Sequence, residues 1–361
     1  MRLLSKIDWP LIISFVLLTG FGLTVIYSLA FPKSELSFFY KQFLFLGLGL
    51  ILMLGIVAFF DYRRLRSNSL VVLGLYSVLI VLLAGLFFFP SIRGIHGWYR
   101  LGPLTFDPVP FAQLGLIIIL AKYFSIRHPQ SRQLPLLLLS SVYAILPAIL
   151  VFFQPDFGSA IVFILIWLGL ILISGLKWRH LLFLFFCFLV LGSLIWGFAL
   201  QDYQKNRVMS FIHPSSSEES SIWQPQQSQI ALGSGGWLGR GWGNNSQARY
   251  GFLPEAKTDF IFSAIAEEFG FLGIIILGLL FFILIWRLVK IGGRTEDNFA
   301  YLLTLGYLIW ITSQSFISIG MNVGFLPVIG IPLPLVSYGG SSLIAFYLGG
   351  GLVMSTRSWS A

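Results

Sequence analysis

The stretch FGSAIVFILIWLGLILISG, Phe157 to Gly175, runs nineteen residues without a charge. A helix rises ~1.5 Å per residue, so this run reaches about 28 Å, the thickness of a bilayer's hydrocarbon core. Working outward in both directions, the pattern recurs. Comparable runs lie near 9–30, 38–60, 69–89, 108–124, 134–153, 157–175, 180–200, 259–286, 299–323 and 340–356, ten in all. The composition agrees: 57% of residues are hydrophobic, 10% are charged, and mean hydropathy is +0.87. Soluble domains carry about 25% charge. The expectation is an all-α integral membrane protein of about ten transmembrane helices, forming a single polytopic domain over residues 1–361.

Twenty-three Lys and Arg against 14 acidic residues give a net charge of +9. In a soluble protein that excess would suggest nucleic acid. In a membrane protein it marks cytoplasmic loops, and no nucleic-acid partner is expected. With the N-terminus inside, fourteen cations fall on the cytoplasmic side and four on short outer segments. Both termini are therefore expected in the cytoplasm. The single cysteine, Cys187, lies in an apolar run, so no disulfide framework is possible within the chain. The basic start, Met1–Lys6, leads into a long apolar run without a small-residue cleavage site, as in a retained first span.

One segment interrupts the rhythm: residues 201–258, rich in Ser, Gln, Gly and Trp, between spans seven and eight on the outer side. Pro214–Ser221 reads as a solvated stretch, and Trp223–Tyr250 as an ordered cap over the membrane. Its glycine-rich part, Gly233–Gly243, matches neither a dinucleotide fingerprint nor a phosphate-binding P-loop.

Ionisable groups at membrane depth are costly and therefore informative. Asp156, in Gln154-Pro155-Asp156-Phe157-Gly158, is placed either to cap the next helix or to serve a site. Asp259 stands where the long loop meets span eight; it either caps that span, a task Thr258 could also perform, or acts as a base. Counting 100° per residue from Asp259, Glu267 could border the same cavity, whereas Glu268 points away. One of these two glutamates is expected to meet a buried cation or hydroxyl in a structural role. Before span ten, Ser337-Tyr338-Gly339-Gly340-Ser341-Ser342 reads equally as a tight turn or as an anion site built on free N–H groups.

Three motifs together resemble the SEDS family (shape, elongation, division, sporulation) over essentially the whole chain. They are Gln154–Gly158; Leu253-Pro254-Glu255-Ala256-Lys257-Thr258-Asp259-Phe260-Ile261-Phe262 with Glu267-Glu268-Phe269-Gly270; and Gly330-Ile331-Pro332-Leu333-Pro334 through Ser342. Ile7-Asp8-Trp9 and Gly233–Gly241 look more like the RodA branch than the FtsW branch. The resemblance implies a peptidoglycan glycosyltransferase in the plasma membrane of a bacterium, serving wall elongation and rod shape. Such enzymes polymerise lipid II, an undecaprenyl-diphosphate-linked muropeptide, at the outer face of the membrane beside a class B penicillin-binding protein. It also implies that Asp259 is the essential catalytic carboxylate. Substrate-binding candidates are then Asp156, Lys257, Arg240, Arg249, Glu255, Ser337, Gly339, Gly340, Ser341 and Ser342, with Gln154, Glu267 and Glu268 as supports. Arg207 is a further outer cation.

The chemistry is coherent. An α-linked diphosphate donor giving a β-1,4 product inverts at the sugar carbon, so one base on the acceptor hydroxyl suffices. The leaving diphosphate needs positive charge from Arg, Lys or a divalent cation such as Mg2+ or Mn2+. The chain departs from the family pattern Gln-Pro-Ser-Glu-Phe-Ala-Lys, reading Asp107-Pro108-Val109-Pro110-Phe111-Ala112-Gln113. Lys257 stands where the family has His. A flippase for lipid-linked precursors, or a scaffold without catalysis, are the alternative readings.

Overall fold

The computed structural model describes residues 7–31, 35–90, 97–102, 104–126, 133–175, 178–199, 205, 208–209, 211–212 and 219–360. Its order is α1 (Trp9–Ala30), α2 (Ser37–Phe59), the five-residue α3 (Arg63–Ser67), α4 (Ser69–Gly85), a hairpin of β1 (Tyr99–Leu101) and β2 (Leu104–Phe106), α5 (Val109–Ile126), α6 (Gln133–Phe153), α7 (Phe157–Ile173) and α8 (Trp178–Leu194). Then come α9 (Glu219–Ser234), the four-residue α10 (Ser246–Arg249), α11 (Ile261–Gly292), α12 (Asn298–Val323) and α13 (Gly340–Ser360). Every expected span coincides with a helix. Among the described residues seven helices are long and apolar enough to cross a membrane. The other three expected spans are α7 and α8, of 17 residues each, and α13, of 21. The chain is a multi-pass membrane protein whose spans are all helical.

Short polar side chains start the spans. Asp8 accepts from the Leu11 N–H, Asn68 from Leu70 and Val71, and Asp297 from Phe299. Gly324, at φ 88°, ends α12 in the left-handed conformation. In the bundle, α5 and α12 lie centrally: α5 packs on α4, α6, α7, α12 and α13, and α12 on α5, α7, α9, α11 and α13. Between these two, the Trp310 indole donates to Gln113 Oε1 at 2.8 Å. Gln113 therefore satisfies a buried donor where the family pattern has Lys, and Pro110 occupies the second position of α5, where a missing N–H is tolerated.

The cap over the membrane is ordered through α9, the following loop and α10. Glu219, Ser220 and Ser221 belong to the first turn of α9; Pro214–Glu218 and Arg207 lie outside the described residues. The loop after α9 docks into a break in α11. There Gly270 has φ 63° and ψ −159°, which no helix allows. The freed carbonyls of Glu267 and Glu268 accept from the N–H groups of Arg240 (2.9 Å) and Gly241 (3.1 Å). On the far side, the Phe271 and Leu272 N–H groups donate to Gly236 and Trp237 at 2.8 and 3.1 Å. Irregular backbone at membrane depth persists only where it is buried in protein and re-bonded in this way. A Cβ on Gly270 would overlap the Gly239 nitrogen, and one on Gly239 would overlap the Glu268 carbonyl. The two glycine-bearing motifs of the sequence are thus the two halves of one joint.

At the opposite end of α11, Arg287 grips the buried Asp8 through two bonds of 2.7 Å, and Arg357 of α13 adds a third cationic contact. This ties the start of α1 to the ends of α11 and α13.

Candidate active site

Asp259 is not a helix cap. The cap position of α11 is Phe260, without a side-chain bond, and the Thr258 hydroxyl is occupied by Glu255 Oε2 at 3.1 Å and by the Glu255 carbonyl at 3.3 Å. The cap comes from another helix. Asn322, fully buried near the end of α12, accepts from the Ser263 N–H (3.2 Å) and hydroxyl (2.8 Å). Its amide group donates to the Asp259 carbonyl at 2.8 Å and to Ser318 at 2.7 Å. The Ser228 hydroxyl joins the cluster from α9, 2.7 Å from that of Ser263. Asn322 thus supplies the cap from outside, and the Asp259 Oδ2 lies against the bare face of Gly330, which has φ 72°. No sequence signal marked Asn322.

The lead-in to α13 is bonded to the residues just before Asp259. Ser337 Oγ donates to the Thr258 carbonyl at 2.6 Å and accepts from the Leu333 N–H, while the Tyr338 N–H donates to Lys257 O at 2.9 Å. Gln42, buried in α2 and also unmarked by the sequence, braces the turn: its amide donates to Ser337 O at 3.1 Å and accepts from the Gly339 N–H at 3.2 Å. Ser337 and Gly339 are therefore spent on the turn itself, and the Ser342 hydroxyl returns to Gly339 O. The N–H groups of Gly340, Ser341 and Ser342 begin α13 and have no protein partner among the described residues, which keeps the anion-site reading for these three.

Asp156 caps α7, accepting from the Ser159 N–H at 3.0 Å. It also belongs to this corner. The Ser341 hydroxyl accepts from the Asp107 N–H at 2.9 Å, and the Asp156 carboxylate raises the Asp107 pKa. Burial, more than that neighbour, pushes Asp107 up to about 7, and burial also raises Asp156. Asp107 was not among the residues expected at the site. Gly158, in the first turn of α7, abuts Ile329 and Ile331, the residues on either side of Gly330. The start of α7 and the Asp259 carboxylate thus pack on successive residues of one extended segment. Gln154 stays structural, donating to Leu83 O at 2.6 Å.

Several candidates are placed elsewhere. Lys257 pairs with Glu35 and sits 4.2 Å from the Phe38 ring centroid, so its charge is shared with α2's approach. Arg240 props the cap, reaching Ser246 Oγ at 2.8 Å and Ser234 O at 3.3 Å. Arg249 is exposed at the end of α10 and forms no ion pair with a described residue. Glu267 does not border a cavity with Asp259: it is fully buried and accepts from Ser246 Oγ at 2.8 Å and the Gln247 N–H at 3.2 Å. The helical angle failed because Asp259 precedes the helix. Glu268 accepts from Asn245 at 2.5 Å and from Ser28, so both glutamates fasten the cap.

A family model described as a cell cycle protein, covering FtsW, RodA and SpoVE, matches residues 8–360. The chain belongs to this SEDS family. Among its relatives, the peptidoglycan glycosyltransferase MrdB of Escherichia coli K12 is 37% identical, over 79% of this chain and 77% of that one. A probable peptidoglycan glycosyltransferase FtsW of Neisseria gonorrhoeae is 36% identical, over 94% and 82%. In three dimensions the chain is similar to one from a peptidoglycan synthase complex that coordinates polymerization and crosslinking, with TM-score 0.82, 31% identity and 97% of both chains covered. It is also similar to the rod shape determining protein RodA of Thermus thermophilus, with TM-score 0.72, 29% identity and 97% and 96% covered. The SEDS relatives thus come from both branches at nearly equal identity.

Proposed function

We propose that this chain is a peptidoglycan glycosyltransferase that extends glycan strands from lipid II, with Asp259 as the base. The observation that carries the reading is the position of the Asp259 carboxylate, ahead of the helix, against Gly330 and one residue from the backbone that holds the start of α13. Asp259 takes the proton of the acceptor hydroxyl as that oxygen bonds to the donor sugar carbon. The bond from that carbon to the diphosphate oxygen breaks with inversion, and the undecaprenyl diphosphate leaves with the electron pair. The N–H groups at Gly340–Ser342 are the groups proposed to receive the diphosphate's charge.

A Mg2+ or Mn2+ ion would add charge neutralisation at the leaving group. Among the described residues no three His, Cys, Asp or Glu side chains converge as a cage. Such an ion would be held mainly by substrate oxygens beside Asp259, as Mg2+ is in many phosphate sites. The proposed orientation puts Asp259 and the cap outside the plasma membrane of a bacterium and both termini in the cytoplasm, on the fourteen-to-four charge bias. The proposed role is wall elongation in the RodA branch, beside a class B penicillin-binding protein that cross-links the strands.

A break within a span is a transporter feature, and the break at Gly270 is the one observation that favours a flippase. Its freed backbone groups are filled by the 236–241 loop, so it offers no substrate site. Reconstituted protein with labelled lipid II separates the readings. Glycan chains are expected from the wild type and at least ~10²-fold fewer from Asp259→Asn, the usual scale for losing a base. Normal polymerisation by a folded Asp259→Asn protein refutes the assignment; lipid movement without chains establishes the flippase, and neither activity the scaffold. A cysteine at Asn244, in a Cys187→Ser background, should react with an impermeant label from outside only.

A further inference from the structure

At the end of the bundle away from Asp259, a small, solvent-open pocket of about 50 Å³ is lined by Arg287, Lys290, Ile291, Arg294, Thr295 and Arg357. Four of the six are cations. The buried Asp8 carboxylate holds Arg287 and Arg357 in place and answers one of the four charges, leaving an excess of three. Lys290 and Arg294 form no ion pair with any described residue. Lys290 stands in the last turn of α11 and Arg294 two residues past its end, and both line this pocket, where like charges repel. The fold gains nothing from that pair, whereas an anion in the pocket would.

The pocket adjoins the lipid-facing side of the helix. Lys290 Nζ sits 4.9 Å from the ring centroid of Trp286, and Trp286, Phe282, Ile283 and Val289 are all exposed on α11. A tryptophan at the end of an apolar span belongs at headgroup level. Basic pockets between spans at this depth suit lipid phosphates, and a guanidinium pre-set by a carboxylate presents its remaining N–H groups without further ordering. We propose that this pocket binds the phosphate of an anionic phospholipid headgroup, clamping together the start of α1 and the ends of α11 and α13.

The test is native mass spectrometry of the full-length protein in detergent, titrated separately with phosphatidylglycerol, phosphatidylcholine and inorganic phosphate. The Lys290→Gln/Arg294→Gln double variant leaves the Asp8 ion pairs intact, and its melting in lipid-free detergent checks the fold. The wild type should favour phosphatidylglycerol over phosphatidylcholine. The variant should bind phosphatidylglycerol about 30-fold more weakly, about fivefold for each cation removed. Equal phosphatidylglycerol affinity in the two proteins overturns the site. Binding of inorganic phosphate that the variant loses, without any preference for phosphatidylglycerol, overturns the lipid assignment and leaves a soluble-anion pocket.

Discussion

Replacing Asn322 by alanine tests the claim that a residue on another helix both caps α11 and fixes Asp259. Asn322 is fully buried and makes four hydrogen bonds. Alanine removes all four. The Ser263 hydroxyl keeps Ser228 as a partner, and Ser318 O remains inside α12. Two groups are stranded: the Ser263 N–H and the Asp259 carbonyl. Each orphaned backbone group costs about 1–3 kcal/mol, so the loss should be about 4 kcal/mol. Ser263→Ala is the contrast: it deletes the hydroxyl bonds, keeps the N–H cap, and should cost about 1 kcal/mol.

The activity should follow the same order. A displacement on the order of 1 Å at a reacting group can cost about 10²-fold, and Asn322→Ala removes the bond that holds the Asp259 main chain. Melting in detergent and polymerisation of labelled lipid II, measured well below the melting midpoint, give the two readouts. An unchanged midpoint, or a folded Asn322→Ala protein that polymerises at the wild-type rate, refutes the remote-cap account.

Gly270→Ala should release the cap from α11, because the new methyl meets the Gly239 nitrogen and the backbone is left-handed there. Limited proteolysis within 235–250 should accelerate, and an unchanged cleavage pattern argues against the joint. Asp8→Asn strands Arg287 and should lower stability by about 3 kcal/mol, the scale of breaking a buried ion pair; thermal melting reads it. Asp107 has a raised folded-state pKa of about 7, so its contribution to stability is full below about pH 4 and is lost as pH rises through about 7. Asp107→Asn should therefore flatten the fall in melting midpoint between those values, and an equally steep fall in the variant would exclude Asp107 as its source.

The spans were legible because apolar runs of bilayer length have one physical solution. So were the start of α7 at Asp156 and the ordered cap. What escaped was everything held by pairing across distant residues. Gln42 and Asn322 are single amides in apolar helices, and nothing local distinguishes them from packing. The break at Gly270 was hidden because the apolar run continues straight through it, and only the opposing loop shows which backbone groups are rejoined. The helical-wheel argument for Glu267 failed for a local reason: it assumed helix at Asp259, where the chain is still turning.

The departures from the family pattern also make sense together. Where the pattern has Glu and Lys on α5, this chain has Pro110 and Gln113, and the Gln113 carbonyl accepts from the Trp310 indole, so no charge is stranded in the centre of the bundle. Where the pattern has Gln, this chain has Asp107, whose carboxylate accepts from the Val109 N–H at 2.9 Å with Asp156 nearby, while its backbone N–H donates to Ser341 Oγ. Where the family has His, Lys257 is balanced by Glu35 and Phe38. Gln113 and Lys257 are each matched within reach of their own side chains, and none of the replacements touches the hydrogen bond from Asn322 to the Asp259 carbonyl. The two departures nearest Asp259, at Asp107 and Lys257, change the charge beside this corner, and the hydrogen bond by which Asn322 holds the Asp259 main chain involves neither of them.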